Sequence, residues 1–298
     1  MDATLGQFEA KWQEWVEWLA GGDPNSIQKQ IGDLVWDAAV LRTFSSAIDQ
    51  AERDDRGEPK LNGVFLDAFK RWYVGSQCLR IRKLMELYDP LGDRTGKKAV
   101  FSLRRVLGEM QSHRDLLTRN HLLRVRAGKL ELSSGANLHP DPMLDQSAYR
   151  RNSLLDKATG VSLEDRRGDD LVSEHLLLAL VKMLVDHEDL YVHINKFIAH
   201  AASPESRGDA GQPTYGDLWA AERTAVQVYS VLRSILCDAS DVLVPRYERD
   251  VFQYIDQPLV SEAGIEKLRQ KWATFEKEAA SWGAWDWPAL ARAPNAAE

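Results

Sequence analysis

Apolar residues recur every three or four positions along most of this chain, which is the spacing that gathers them on one face of an α-helix. In the first segment Phe8, Trp12, Trp15 and Leu19 share such a face, and Gly21 is expected to end the helix. Further stripes of this kind predict helices over residues 25–49, 61–88, 215–239 and 265–279. Because no alternation of apolar and polar residues is long enough to build a sheet, the predicted fold is all-α, an antiparallel helical bundle with extra N- and C-terminal helices.

Two neighbouring stretches are less regular. Residues 101–128 are basic and apolar at helical spacing, and they predict one helix or two with Gly128 as the stop. Residues 129–169 are rich in turn formers and charges, which predicts a long irregular insertion with one short helical turn near residues 143–155. The run 170–200 that follows is apolar around so much of its circumference that we expect a single helix at the centre of the bundle.

We expect one domain over residues 1–298, with a frayed tail at residues 288–298. Ser102 and Thr214 each precede apolar helical residues, so they are interpreted as helix N-caps rather than as nucleophiles.

Charge and cysteine content narrow the classes of function. The chain has 298 residues and a formal net charge of -7, so binding to RNA would require a local basic patch. Its two cysteines, Cys78 and Cys237, lie among apolar residues, which argues against a disulfide framework and a cysteine-ligated zinc site. The N-terminus lacks the pattern of a signal peptide, and no window of eighteen residues is apolar throughout. We therefore expect a cytoplasmic protein that does not enter the membrane.

The stretch 185–200 concentrates side chains that could perform chemistry. On a continuous helix Asp186, Asp189, His193 and His200 would share roughly one face. Such a face could bind a divalent metal ion, or one imidazole could act as a general base. Alternatively, His193 completes the core and His200 caps the helix. Neither the Glu-x-x-His pair of di-iron bundles nor the His-Glu-x-x-His motif is present, so we expect no metal and no cofactor.

Basic residues cluster in two helical segments of this acidic chain. They are Arg80, Arg82 and Lys83 in one segment and Arg104 and Arg105 in another. Arginine can bind phosphate through two parallel hydrogen bonds, so Arg80, Arg82, Arg104 and Arg105 are candidate RNA-binding residues. The competing interpretation is an ordinary solvated face.

Three motifs occur in a characteristic order. They are LRIRKLMELYDP before a turn, FSLRRVL at the start of the next helix, and NKFIAH followed by a polar loop and PTYGDLWAAER. Together they resemble the AbiU-like branch of the HEPN superfamily, a group of helical domains that includes proteins of bacterial abortive infection. The resemblance covers roughly residues 60–240 and implies a HEPN-like core over that range.

The resemblance implies metal-independent cleavage of RNA at an interface between two copies of the chain, within a phage-defence or toxin system. It gives His200 the role of base or phosphate ligand, with Asn195 and Lys196 beside it, and an antitoxin or another defence protein as a further partner. Active HEPN ribonucleases carry an arginine four to six residues before the histidine, and Ile194 stands in that place. A second function therefore stays open, that of a catalytically inactive scaffold or sensor that binds a protein partner.

Overall fold

The computed structural model describes residues 3–57, 59–86, 100–125, 142–199, 213–237 and 262–282. This part of the chain is all-α, as predicted, and its β-pairing is limited to two isolated bridges. Its main helices are α1 (Ala3–Ala20), α2 (Ile27–Asp49), α3 (Gly63–Met85), α4 (Leu103–Ser112), α5 (Pro142–Thr159), α6 (Glu174–Val185), α7 (Glu188–His193), α8 (Tyr215–Leu236) and α9 (Glu262–Trp282). A 3-10 turn covers Arg114–Leu116, and a π-helix covers Ile194–Ala199.

The chain divides into two compact units, Met1–Pro245 and Arg246–Glu298. The first unit contains helices α1 to α8, and the buried apolar core of the described residues runs from Leu5 to Leu236. The second unit contains α9, whose Ile265, Leu268 and Trp272 are exposed.

Helix α8 occupies the centre of the first unit, where it packs against α1, α2, α3, α4, α5 and α6. The sequence predicted that the run 170–200 would take this place. Helix α6, from that run, packs against α4 and α8 but leaves Leu178 and Val185 exposed. The prediction was wrong because high apolar content permits burial on all sides but does not enforce it.

The run 170–200 also forms three elements instead of one helix. Helix α6 ends at Val185, and Asp186 and His187 form a turn before α7 begins. The backbone N–H of His187 donates to the carbonyl of Leu184, three residues back, which tightens the end of α6. The imidazole of His187 pairs with the hydroxyl of Thr224 on α8, so this turn is held against the central helix.

The basic segment 101–128 is divided in a similar way. Helix α4 ends at Ser112, the 3-10 turn follows, and residues 119–125 are helical again. The sequence predicted either one helix or two over this segment, and the structure has two. Gly128, the predicted stop, lies outside the described residues.

The predicted irregular insertion 129–169 contains α5, which at 18 residues is much longer than the expected turn at 143–155. Gly160 ends α5 with a positive φ of 75°, a conformation that glycine adopts without steric strain. Arg119, which is 3% exposed, binds Asp156 on α5 and Asp170 in the loop, each at 3.0 Å. Residues 129–141 and the tail 288–298 lie outside the described part of the chain.

Side-chain caps define two helix starts as predicted. The hydroxyl of Ser102 accepts a hydrogen bond from the backbone N–H of Arg105 at the start of α4. Thr214 and Asp217 form a reciprocal capping box at the start of α8. Within the described ranges, no helix combines the length and apolar character that a membrane span requires.

Candidate functional site

The segment NKFIAH begins in a π-helix rather than an ordinary α-helix. Helix α7 ends at His193, and the π-helical turn Ile194–Ala199 follows it without a break. A π-helix closes its hydrogen bonds over five residues instead of four, and such turns are rare and frequent at functional sites. His200, the predicted catalytic residue, lies outside the described residues.

The two residues directly before NKFIAH face the protein core. Ile194, at the position where the resemblance implies an arginine, is completely buried. His193 is also buried, and its ring stacks on that of Phe197 with centroids 4.4 Å apart and an interplanar angle of 14°. These contacts give His193 a packing role in the described structure.

Asn195 and Lys196 are partly buried in the same π-helical turn. Nε of Arg82, from α3, donates a hydrogen bond to Oδ1 of Asn195 over 2.5 Å. The contact depends on α3, which packs along the π-helix. One predicted RNA-binding arginine therefore lies directly beside Asn195, one of the predicted catalytic residues.

The other three candidate arginines have partners that already use their charge or their planar face. Arg80 pairs with Asp37 on α2. Arg104 on α4 pairs with Glu188 on α7 through Nη1 and Oε2 at 3.0 Å. Arg105 lies over the indole of Trp18, with its guanidinium carbon 3.8 Å from the ring centroid.

Arg82 differs from Arg80 and Arg104 because it has no acidic partner within 4.0 Å among the described residues, and it differs from Arg105 because no aromatic ring covers its guanidinium there. Its Nε donates to Asn195, and its two terminal nitrogens have no hydrogen-bond partner within the part of the chain that the structure describes. The planar guanidinium can bind two phosphate oxygens in this way.

The acidic residues near the segment do not assemble a metal site in the described structure. Asp186 pairs with Lys182 on α6 at 2.9 Å. Burial lowers the pKa of His187, which favours its neutral form. Within the described ranges, no three histidine, cysteine, aspartate or glutamate side chains converge closely enough to bind a metal ion. The turn at residues 186–187 also breaks the continuous helical face that the sequence suggested.

A second polar group, which the sequence interpretation missed, lies between α3 and α8. Glu222 of α8 is 5% exposed, and its Oε1 accepts a hydrogen bond of 3.0 Å from the hydroxyl of Tyr73. Burial raises the pKa of Glu222 to about 7, against a weaker lowering by the hydrogen bond from Tyr73. Burial likewise raises the pKa of Tyr73, and it raises that of Cys78 to about 11.

The sequence contains a signal for Glu222. It lies four residues after Leu218 and four before Val226, inside the apolar stripe of α8. A carboxylate in a row of core residues must be buried with a partner or must change its pKa. The position could therefore have been identified as a buried acid, although its partner on α3 could not.

Comparisons with protein-family models, with curated proteins and with solved structures find no significant match to this chain.

Proposed function

We propose that this chain is an AbiU-like HEPN protein that binds RNA and cleaves it without a metal ion, at a site formed by Arg82, Asn195, Lys196 and His200. The observation that carries the proposal is the 2.5 Å hydrogen bond from Arg82 to Asn195. This bond supports a guanidinium beside the segment NKFIAH. The motif of active HEPN ribonucleases has an arginine four to six residues before the histidine, and this chain has Ile194 in that place. Arg82 thus supplies the charge that Ile194 does not.

In this mechanism His200 accepts the proton of a ribose 2'-hydroxyl, and the 2'-oxygen attacks the adjacent phosphorus. The bond from phosphorus to the 5'-oxygen breaks, and the 5'-oxygen leaves with a proton taken from water. The products are a 2',3'-cyclic phosphate and a 5'-hydroxyl. Arg82 and Lys196 stabilise the negative charge on the phosphate oxygens, and Asn195 holds the guanidinium plane in position through the bond to Nε.

The test compares cleavage of structured and unstructured RNA by the wild-type protein, in EDTA, with cleavage by His200→Ala and Arg82→Ala. Both variants should lose about 100-fold or more in rate, as removal of one donor to a transition-state oxyanion does elsewhere. Lys83→Ala is the matched control, because it removes one exposed positive charge next to Arg82 on α3. Its rate should stay within about threefold of wild type, since exposed charges contribute little.

Cleavage that requires a divalent metal, or that survives in Arg82→Ala, would show that the proposed site is wrong. The resemblance also implies a site shared by two copies, in the cytoplasm of a bacterium with an antiphage defence system. A strictly monomeric mass at micromolar concentration would contradict the shared site.

The second candidate function is an inactive scaffold or sensor that binds a protein partner. The complete burial of Ile194 favours this function, because the position where the resemblance implies a catalytic arginine contributes to the core instead. It predicts no cleavage of any tested RNA by the wild-type protein. The EDTA assay separates the two functions, since only the ribonuclease forms a 2',3'-cyclic phosphate.

A further inference from the structure

A groove of about 410 Å³ runs between α2 and α8, and none of the residues of the Arg82–Asn195 site line it. Its walls are mostly apolar, and its polar side chains include Arg42 of α2 and Trp219, Glu222 and Arg223 of α8. This volume, with apolar walls and a few polar groups, is typical of sites for small organic molecules.

One wall of the groove offers a flat stacking surface. The indole of Trp219 is 37% exposed, and the guanidinium carbon of Arg42 lies 5.3 Å from its ring centroid. Arg42 is itself exposed at the surface, so it can move without disturbing the core. Nucleobases stack on aromatic rings and on guanidinium planes, which makes this pair suitable for a planar heterocycle.

The groove also reaches a buried hydrogen-bond acceptor. Oε1 of Glu222 accepts from Tyr73, and neither oxygen pairs with an arginine within 4.0 Å in the described structure. The neighbouring charges act in opposite directions, since Arg42 lowers the pKa of Glu222 and Asp37 raises it. Burial is the largest influence and raises this pKa to about 7, so the carboxylate is mostly ionised at pH 8. An ionised carboxylate only accepts hydrogen bonds, and each oxygen can accept two.

We propose that this groove binds the guanine base of a nucleotide, stacked on Trp219, with its N1–H and N2–H donating to Glu222 and its phosphate near Arg42 and Arg223. Guanine presents two adjacent donors on one edge, which match the two carboxylate oxygens. Adenine and cytosine place an acceptor nitrogen beside their amino group, and uracil places carbonyl oxygens on both sides of its N–H. These acceptors would face the negative charge of Glu222, so the chemistry favours guanine.

The inference rests on the proposed RNA function for its biological setting and gives that function a base preference. The same recognition chemistry could come from a free guanine nucleotide or from guanine within an RNA strand. Both ligands are therefore included in the test.

Binding is measured by isothermal titration calorimetry at pH 8 with GMP, AMP, CMP and UMP, and with short RNA strands that contain or lack guanine. The full-length protein carries His200→Ala to prevent cleavage. GMP or the guanine-containing strand should bind about tenfold or more tightly than its competitors, as expected for hydrogen bonds to a charged group. Binding to the strand alone identifies RNA as the source of the base.

Two variants and one control test the named contacts. Glu222→Gln keeps an oxygen that can accept from Tyr73 but replaces the second acceptor with a donor, so guanine binding should weaken about tenfold or more. Trp219→Ala removes the stacking surface and should have a similar effect. Trp36→Ala is the control, because Trp36 is 41% exposed on α2 and lies outside the groove lining. Circular dichroism checks that each variant is folded.

The inference is overturned if neither GMP nor the guanine-containing strand binds, if all four bases bind equally, or if Glu222→Gln binds guanine as well as wild type. Its failure is distinguishable from that of the proposed ribonuclease. If the protein binds guanine but the wild type cleaves no RNA, the guanine-binding proposal stands and the ribonuclease proposal is wrong. If cleavage depends on Arg82 and His200 but the protein has no preference for guanine, the ribonuclease proposal stands and the guanine-binding proposal is wrong.

Discussion

At the scale of single residues, Glu222 shows how one buried acid changes the properties of a helical bundle. The side chain is 5% exposed, and its one hydrogen-bond partner in the described structure is the hydroxyl of Tyr73. Loss of hydration disfavours the charged form, which raises the pKa to about 7 from an ordinary value of 4.5. A hydrogen bond from a neutral hydroxyl does not replace the hydration of a carboxylate, so the ionised form lowers the stability of the fold.

Replacement of Glu222 by glutamine should therefore stabilise the protein, to an extent that depends on pH. Between pH 4.5 and 7 the folded wild-type carboxyl holds a proton that the unfolded chain has released. The free energy of unfolding of the wild type consequently falls with rising pH, relative to Glu222→Gln, by about 3 kcal/mol in all. The difference should be complete above pH 8 and absent near pH 4, which urea unfolding at a series of pH values measures. The exposed substitution Glu164→Gln is the control, and a difference independent of pH would contradict the burial argument.

Arg82 and Ile194 show that a positive charge can lie next to a motif without occupying the sequence position where the motif predicts it. An arginine at position 194 would bring a guanidinium into the completely buried place that the isoleucine fills. Arg82 reaches the same segment from α3, with partial exposure to water, through its bond to Asn195. Under the proposed function, the positive charge beside NKFIAH comes from Arg82 on α3 rather than from a residue at position 194.

At the scale of the elements, the sequence predicted those helices best that carry their own start and stop signals. Helix α1 ends directly before Gly21, and α8 begins directly after the capping residue Thr214. The break at His187 and the π-helical turn after His193 were not predicted, because α- and π-helices use the same apolar residues. Their difference lies in hydrogen bonding and in tertiary partners, such as Thr224 for His187.

Thr214 provides a measurable test at the start of the central helix. Its hydroxyl accepts from the backbone N–H of Asp217 at 3.2 Å, and its backbone N–H donates to Oδ2 of Asp217 at 2.7 Å. The hydroxyl of Thr214 also donates to Oδ2 of Asp217 at 2.8 Å. The bond from the Thr214 backbone, together with this bond from its hydroxyl, lowers the pKa of Asp217. Thr214→Ala should reduce the free energy of unfolding by about 1 kcal/mol, because it removes an N-cap acceptor.

Urea unfolding followed by circular dichroism measures this loss. Thr214→Ser keeps the hydroxyl and should recover most of the stability. If the alanine and serine variants are equally stable, the hydroxyl of Thr214 contributes nothing to the stability of the fold.

At the scale of the whole molecule, both polar sites join residues that are distant in the sequence. Arg82 and Asn195 are 113 positions apart, and Tyr73 and Glu222 are 149 apart. Helical periodicity reports which residues share a face of one helix, but it contains no information on which helices become neighbours. Asn195, Lys196 and His200 were named from the resemblance of the motif NKFIAH, and four arginines were named from their charge, whereas the selection of Arg82 among those four required the packing of α3.

Arg119 is a long-range contact whose removal should affect the whole first unit. Its Nε and Nη1 bind Asp170 and Asp156, and its Nη2 donates to Thr159 at 3.1 Å. Backbone bonds from Arg119 to Asp170 and from Val172 to Leu117 join the same two segments. The guanidinium thus holds the end of α5 and the following loop against the segment after α4.

Replacement of Arg119 by methionine keeps the apolar stem and removes the charge. Asp156 would still pair with Arg166, but Asp170 would lose its ionic partner in a poorly hydrated place. The free energy of unfolding should fall by about 3 kcal/mol, the lower end for breaking a buried ion pair. The control is Arg124→Met, since Arg124 is exposed on the same helical stretch and should change stability by less than about 1 kcal/mol. Urea unfolding gives both values, and hydrogen exchange at the amide of Arg119 should accelerate in Arg119→Met if the loop separates from this segment. Equal stability of the two variants would mean that apolar packing, rather than the ion pairs, holds α5 in place.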